Sequence, residues 1–170
     1  MYVTIKMKIE CKEEESKLLD QYQKIYFEEV KRATIFLKNK KVPLSYQNVS
    51  DQIHYRSKPA IIKEAKHFSR YVKVSDKNAI PPTWRSLSYQ IKENQLRLYF
   101  GSAFLIPSLD VKLVPYQKRN LNEYHLRSLR LKKIEGEWFV YFCARKKATT
   151  ETMKSSSYLD SSLFVERKSC

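Results

Sequence analysis

Few side chains in this sequence have the types and spacings that catalyse reactions or bind metals. The histidines and cysteines are His54, His67, His125, Cys11, Cys143 and Cys170. No histidine has an acidic or cysteine partner at metal-ligand spacing, and no two cysteines form a CxxC pair. A two-metal nuclease needs several carboxylates around ions about 4 Å apart, whereas the acidic residues of the second half are scattered. We therefore predict no catalytic residue, no metal site and no cofactor.

Glycine is nearly absent, which excludes several classes of enzyme. The two glycines, Gly101 and Gly136, are far apart in the chain. A phosphate-cradling loop, a dinucleotide fingerprint and a nucleophile elbow each need closely spaced glycines, because the backbone must approach a ligand or turn sharply. We therefore expect none of these sites and no small-molecule substrate.

Positive charge is the chemical feature that stands out. The 170 residues include 33 Lys and Arg against 18 Asp and Glu, a net charge of +15. Residues 1–30 carry five basic and seven acidic side chains, so residues 31–170 carry a net charge of +17. Apolar residues make up 42% of the chain, which is enough for a folded core. A folded polycation favours a polyanionic partner such as nucleic acid.

The basic residues that we expect to contact nucleic acid lie in a predicted helix and in a predicted hairpin. They are Lys66 and Arg70 in the helix, and Arg127, Arg130, Lys132, Lys133, Arg145, Lys146 and Lys147 in the hairpin. Paired antiparallel strands would bring the two hairpin groups together along a phosphate backbone. An ordinary solvated face is the alternative.

Tyrosines are candidates for stacking on bases. Those in the second half include Tyr89, Tyr99, Tyr116 and Tyr124. Half-buried packing within a sheet is the more common role for each of them.

The first half of the chain predicts one strand followed by helices. Apolar residues alternate over residues 1–11, which is typical of a half-buried strand. Acidic residues then open an amphipathic helix that runs to about Lys38. Residues 44–75 predict two further helices broken near Pro59, the first marked by Val49 and Ile53, with Lys58 on an exposed side. The Pro81-Pro82 pair ends this helical region.

The second half predicts strands. We expect them over residues 87–92, 95–100 and 109–113, and a hairpin over 126–134 and 137–145 that turns at Glu135-Gly136. The segment Trp138–Cys143 is apolar on both faces, as in a central strand. The fold class is therefore α+β, a small antiparallel β-barrel with a helical insertion after the first strand. Residues 148–170 contain six serines and are predicted to be a flexible tail.

Signals for a membrane or for export are not visible. The longest strongly apolar run has seven residues, Trp138 to Ala144, far short of a membrane span. Met1 leads straight into the first strand without an apolar leader. We therefore expect a cytoplasmic protein with reduced thiols and no membrane partner.

Three stretches resemble TnpB, also called OrfB, the transposon-encoded RNA-guided nucleases related to type V CRISPR effectors. They are the opening strand Val3–Lys8 with its acidic helix start, the stretch Pro82–Tyr89, and Leu129–Lys133 together with Gly136–Phe142. The resemblance covers about residues 1–147 and lies in the pattern rather than in a rigid motif.

The resemblance implies a wedge-type β-barrel over residues 1–147, interrupted at about 12–80 by a helical recognition insertion. In the family these parts hold the guide RNA and help to read a short motif beside the DNA target. The family's barrel leads into an RNase-H-like nuclease domain, whose catalytic Asp has no match here. Asp160 lies in Leu159-Asp160-Ser161-Ser162, which departs from the family's pattern.

The function predicted from these observations is that of a non-catalytic, truncated remnant of a transposase-associated RNA-guided nuclease, with guide-type RNA and DNA as partners. A free-standing basic protein that binds ribosomal RNA or an acidic protein is the alternative. A third interpretation is one half of a split nuclease, active after joining a separately encoded nuclease half.

Overall fold

The computed structural model describes residues 2–40, 43–71, 80–115 and 121–147. These residues form two α-helices, seven strands and two short 3-10 turns, the latter at Tyr46–Asn48 and Leu121–Glu123. The helices are α1 (Glu13–Lys40) and α2 (Lys58–Tyr71). The strands are β1 (Tyr2–Glu10), β2 (Thr83–Arg85), β3 (Tyr89–Lys92), β4 (Gln95–Tyr99), β5 (Ser108–Pro115), β6 (Tyr124–Ile134) and β7 (Glu137–Lys146).

The seven strands form one antiparallel sheet, in the order β2-β6-β7-β1-β5-β4-β3. The first strand in the chain lies inside the sheet, with β7 on one side and β5 on the other. The sheet curls into a half-barrel, and α1 follows the first strand. The predicted α+β fold, a small barrel-like sheet with a helical insertion after the first strand, is confirmed.

Alternating side chains give the sheet an inner and an outer face. On β1, Ile5, Met7 and Ile9 are buried on the inner face, because residues two apart on a strand point the same way. The apolar stripe of α1 covers this inner face, and its members Tyr22 and Tyr26 are fully buried. The helix begins after Lys12, whose backbone N–H donates to Glu15 Oε2 at 2.7 Å, and three glutamates occupy its first turn, where the helix dipole favours them.

Trp84 joins α1 to the edge of the sheet. Its ring stacks on Tyr22 with centroids 4.7 Å apart, and its Nε1–H donates to the Tyr99 carbonyl at 2.9 Å. Trp84 belongs to β2, a three-residue strand that the sequence pattern does not predict. The pairing of β2 with β6 and the burial of Trp84 define this strand, since three residues are too few to show a period.

The predicted helix over Val49 and Ile53 is wrong. Apart from the 3-10 turn, residues 43–57 form turns and irregular backbone, and the Ser50 N–H donates to Glu29 of α1 at 2.9 Å. The Lys58 ammonium donates to the Val49 carbonyl at 2.9 Å and pairs with Asp51 Oδ1 at 2.7 Å. In a helix the Val49 carbonyl would accept from the Ile53 N–H, but this N–H donates to the Ser50 carbonyl at 3.1 Å. Lys58 is buried rather than exposed.

The predicted hairpin is confirmed as β6 and β7, joined at Glu135 and Gly136. Both turn residues have positive φ, 51° and 82°, as a two-residue turn of type I′ requires. The segment Trp138–Cys143 lies in β7, a central strand. The predicted flexible tail, residues 148–170, lies outside the described residues.

Gly101 fastens the turns of residues 51–53 to the sheet. Its N–H donates to the Gln52 carbonyl at 2.9 Å. A Cβ atom at this position would lie 1.9 Å from the backbone oxygen of Asp51. Only glycine therefore allows the two backbone segments to approach so closely.

We expect Gly101→Ala to lower the free energy of unfolding by about 3 kcal/mol, because backbone atoms must move to admit the methyl group. Gly136→Ala is the matched control: a Cβ atom there meets nothing within 4 Å, so only the positive φ opposes it, at about 1 kcal/mol. Urea denaturation followed by tryptophan fluorescence measures both. Equal losses for the two variants would contradict the close approach at Gly101.

Candidate nucleic-acid interface

The outer face of the sheet combines basic and aromatic side chains. Across β6 and β7, Arg130 lies opposite Tyr141, and Lys132 lies opposite Phe139. On β1, the ammonium of Lys6 lies 4.3 Å from the centroid of the Phe139 ring. Strand alternation produces this arrangement, because the same strands give their other side chains to the core. The outer face thus offers positive charge and flat apolar surface together.

A cleft of about 960 Å³ opens between α2 and the edge of this outer face. On the helix side it is lined by Lys63, Glu64, His67 and Phe68. These residues share one face of α2, because positions three and four apart are neighbours on a helix. The adjoining face of the helix carries Ile61 and Ala65, which are fully buried in the core.

The sheet side of the cleft is lined by arginines and a tyrosine. Arg85 comes from β2, Arg127 and Arg130 from β6, and Tyr2 from the start of β1. Arg85 of β2 pairs with Ser128 of β6, which is the residue after Arg127. The basic residues of β2 and β6 therefore lie at the same edge of the sheet. Cations from three elements, α2, β2 and β6, therefore converge on one cleft.

A β-bulge places Arg127. The register between β6 and β7 shifts between Leu126 and Ser128, so Arg127 is the extra residue on the bulged strand. Its guanidinium lies 5.2 Å from the centroid of the Tyr2 ring. Bulges redirect a side chain in this way. The result is a cation on an aromatic ring at the mouth of the cleft.

Glu64 is a carboxyl side chain in the lining of this basic cleft. Burial raises its pKa to about 7, although the positive charge of Arg130 acts in the opposite direction. Its Oε1 accepts a hydrogen bond from the Tyr26 hydroxyl at 3.3 Å, and its Oε2 is enclosed without a hydrogen-bond partner. Near neutral pH this group therefore exchanges between a charged and a neutral form.

Ion pairs are distributed unevenly over the sheet. Toward β4 and β5 the basic residues are neutralised: Arg97 forms a two-bond ion pair with Asp110 at 2.7 and 2.8 Å, and Lys112 pairs with Glu10 at 2.9 Å. Near the cleft several basic residues form no ion pair within the described part of the chain. They include Arg85, Arg127, Lys132 and Arg145. Several cations without an ion pair therefore lie together around the cleft.

The helical residues predicted to contact nucleic acid lie beside the cleft. Lys66 and Arg70 are exposed on α2, next to Lys63 and His67 along the helix surface. They do not line the cleft itself. Both extend the positive surface along the helix.

The predicted hairpin residues form two groups near the cleft, and Lys133 lies apart from both. Arg127 and Arg130 line the cleft, and Lys132 lies farther along the outer face. The second group, Arg145, Lys146 and Lys147, is exposed at the end of β7, where Arg145 lies opposite Tyr2. The hairpin register brings these residues near the cleft, as expected for paired strands.

Lys133 differs from the other hairpin residues. It lies opposite Trp138, whose side chain is buried on the inner face. Its ammonium pairs with Asp20 of α1 at 2.7 Å. The geometry therefore gives Lys133 a role in holding the start of α1 to the hairpin.

The candidate stacking tyrosines lie mainly in the fold's packing. Tyr89 is buried, its ring centroid is 6.1 Å from that of Phe142, and burial raises its pKa to about 12. Tyr99 and Tyr124 are half-buried, and Tyr116 lies outside the described residues. Tyr2, which the sequence pattern does not single out, lines the cleft and is 54% exposed.

Sequence reasoning missed Arg85, Tyr2 and Glu64. A signal existed for Glu64, since it lies in a helical stretch between Ile61 and Ala65, both fully buried. A carboxyl group in such a stretch indicates a partly buried titratable residue. The other two residues reach the cleft through strand pairing across the fold.

The described residues offer neither a metal site nor a membrane-spanning helix. They contain no group of three or more His, Cys, Asp or Glu side chains placed to hold a metal ion. No described helix has the length and apolarity needed to cross a membrane. Comparison with known proteins gives no identification, because no protein-family model and no curated protein matches the chain.

The buried carboxyl of Glu64 should make stability depend on pH. Its pKa is about 7 in the folded protein against an ordinary 4.5, so between these values the folded chain holds a proton that the unfolded chain has released. Stability therefore falls as the pH rises from 4.5 to 7, and the loss is complete above 7.

Glu64→Gln removes this titration and keeps an oxygen for the Tyr26 hydroxyl. We expect the variant to gain on the order of 2–3 kcal/mol of unfolding free energy over the wild type at pH 8, relative to their difference at pH 4.5. Urea unfolding at both pH values measures this difference. A constant difference between the two proteins would show that Glu64 titrates normally.

Proposed function

We propose that the protein binds RNA and DNA, and that it corresponds to the wedge and recognition parts of a TnpB-type RNA-guided nuclease. The partners would be a guide-type RNA, held mainly through its backbone, and the DNA that the RNA pairs with. Binding rather than catalysis is the proposed role.

The observation that carries this proposal is the cleft of about 960 Å³ with its unpaired arginines. A phosphate backbone is bound by Lys and Arg side chains that can release its counterions. Arginines that already pair with carboxylates, such as Arg97, are poorly suited to this role. Arg85 and Arg127 form no such ion pair within the described residues, and they lie at the edge of a basic, aromatic outer face.

The layout of the chain also supports the proposal. The family places a helical recognition insertion after the first strand of a small barrel, and here α1 and α2 follow β1 in a barrel-like sheet. The cleft lies between the helical insertion and the sheet. A strand held there would contact both parts of the molecule.

The first experiment is purification from the native host at low salt, followed by sequencing of the RNA that accompanies the protein. One enriched transcript encoded beside the gene would support guide binding. A mixture of ribosomal and transfer RNA would support the alternative of a free-standing basic protein. Absence of RNA at about 50 mM salt would contradict the proposal, because electrostatic affinity is greatest there.

Removal of cleft charge should weaken RNA binding. For the double variant Arg127→Gln, Arg130→Gln we expect a loss of affinity for single-stranded RNA of roughly 25-fold at 100 mM salt. The slope of log affinity against log salt should become shallower by about 1.4, since each lost phosphate contact changes it by about 0.7. Fluorescence anisotropy over a salt series measures both quantities.

The matched control removes two charges elsewhere. Lys24 and Lys92 are exposed, Lys24 on α1 and Lys92 on the edge strand β3 at the other side of the sheet. Lys24→Gln, Lys92→Gln should leave the affinity within about twofold, because screening weakens charges more than about 10 Å from the strand. Equal losses in both double variants would mean that total charge, and not the cleft, determines binding.

A further inference from the structure

The size and walls of the cleft favour a small unit of nucleic acid over a duplex. At about 960 Å³ it lies in the range of pockets that enclose one drug-sized ligand. One nucleotide that is splayed out of a strand is such a ligand, whereas a duplex can only lie across the opening. Proteins commonly hold unpaired bases on aromatic rings and guanidinium planes.

The mouth of the cleft contains both of these groups in contact. The Tyr2 ring is 54% exposed and carries the Arg127 guanidinium 5.2 Å from its centroid. A base can stack on such a pair, since every base has a flat π-face. The phosphate of the same nucleotide would then lie near Arg127 and Arg130, which line the sheet side.

Glu64 would oppose this phosphate while it is ionised. It lines the cleft from α2, and the charge of Arg130 acts on it directly. A phosphate beside Arg130 adds repulsion to the Glu64 carboxylate and cancels the positive field that favours ionisation. Both effects favour the neutral carboxylic acid.

The surroundings of Glu64 are otherwise neutral or basic. The Tyr26 hydroxyl from α1 donates to its Oε1, Thr83 of β2 lies beside it, and Lys63 is its neighbour on α2. His67 lines the cleft one turn along the same helix. The enclosed Oε2 has no hydrogen-bond partner, so protonation there breaks no existing hydrogen bond.

We propose that the cleft binds one unpaired nucleotide of an RNA or DNA strand, with its phosphate on Arg127 and Arg130, and that Glu64 takes up a proton as the nucleotide enters. This proposal rests on the proposed function and adds to it the form of the ligand and its coupling to pH. Linkage requires the converse as well, so protons strengthen binding. The raised pKa of Glu64, about 7 in the free protein, places this coupling near neutral pH.

The test measures the affinity for a labelled eight-nucleotide oligouridylate between pH 6 and pH 8 at constant ionic strength. We expect the wild type to bind about five- to tenfold more tightly at pH 6 than at pH 8, as uptake of up to one proton allows. An RNA duplex of equal length should bind more weakly than the single strand. Calorimetry in two buffers of different ionisation enthalpy counts the protons without any substitution.

Three variants identify the side chain that takes up the proton on binding. Glu64→Gln should bind at pH 8 as tightly as the wild type does at pH 6, with a flat pH profile. Glu93→Gln, which changes an exposed carboxyl between β3 and β4, should keep the wild-type profile. His67→Gln should also keep most of it, because the proton is expected on Glu64.

The outcomes separate this inference from the proposed function. Binding with no pH dependence and no proton uptake would overturn the coupling while leaving nucleic-acid binding intact. Equal affinity for the duplex and the single strand would contradict the binding of an unpaired nucleotide. If His67→Gln abolished the pH dependence of the affinity and Glu64→Gln kept it, the proton would belong to His67 and not to Glu64. Failure to bind the oligonucleotide at any pH in low salt would overturn the proposed function as well.

Discussion

The stacking of Trp84 on Tyr22 is the contact on which the rest of the structure depends. Both rings are buried completely, and their centroids are 4.7 Å apart. Aromatic side chains of this size bury about 150–250 Å² each, so the pair contributes a large share of the apolar surface that the fold removes from water. The contact holds α1 to the inner face and holds the short strand β2 at the sheet's edge. Without it, Thr83 and Arg85 would have little to fix their position.

Burial at this edge also creates the electrostatic character of the cleft. Tyr26, four residues after Tyr22 on α1, reaches the Glu64 carboxyl through its hydroxyl. The same packing that excludes water from the core therefore surrounds one carboxyl group of α2 and raises its pKa to about 7. Charged arginines remain in contact with solvent a short distance away. Glu64, which can lose its charge near neutral pH, thus lies beside arginines that stay charged.

The arrangement of ion pairs makes the distribution of positive charge over the surface uneven. A total of +15 spread evenly over a surface would attract any polyanion without preference for a site. In this fold the pairs Arg97–Asp110 and Lys112–Glu10 neutralise the side of the sheet formed by β4 and β5. On the side formed by β6 and β7, Lys133 pairs with Asp20 and Glu137 pairs with Lys8. Arg127, Lys132 and Arg145 on that side form no ion pair within the described residues. The surface that we propose for nucleic acid is therefore defined as much by where the carboxylates lie as by where the arginines lie.

Local patterns in the sequence were sufficient for the elements that have a long period or a defined turn. The alternation in β1, the apolar stripe of α1 and the turn at Glu135-Gly136 each specify their structure through neighbouring residues. These elements appear within a few residues of the predicted bounds, and a barrel-like sheet follows from them. Most of the basic residues of the interface could also be recognised, because their charge and position in the hairpin are visible in the sequence.

Other features depend on contacts between distant parts of the chain, and they were decided by the tertiary structure alone. Turns stand before α2 where a helix was predicted, and the buried Lys58 ammonium binds the Val49 carbonyl and the Asp51 carboxylate there. A β-bulge, which is visible only in the pairing of β6 with β7, places Arg127 in the lining of the cleft. Lys133 pairs with Asp20, which is distant in the chain. The sequence by itself determined the fold class, the positive charge and the hairpin. The cleft and the buried carboxyl of Glu64 arise only when α2 packs beside β2, because burial and electric field are properties of the assembled surroundings and not of a residue's neighbours in the chain.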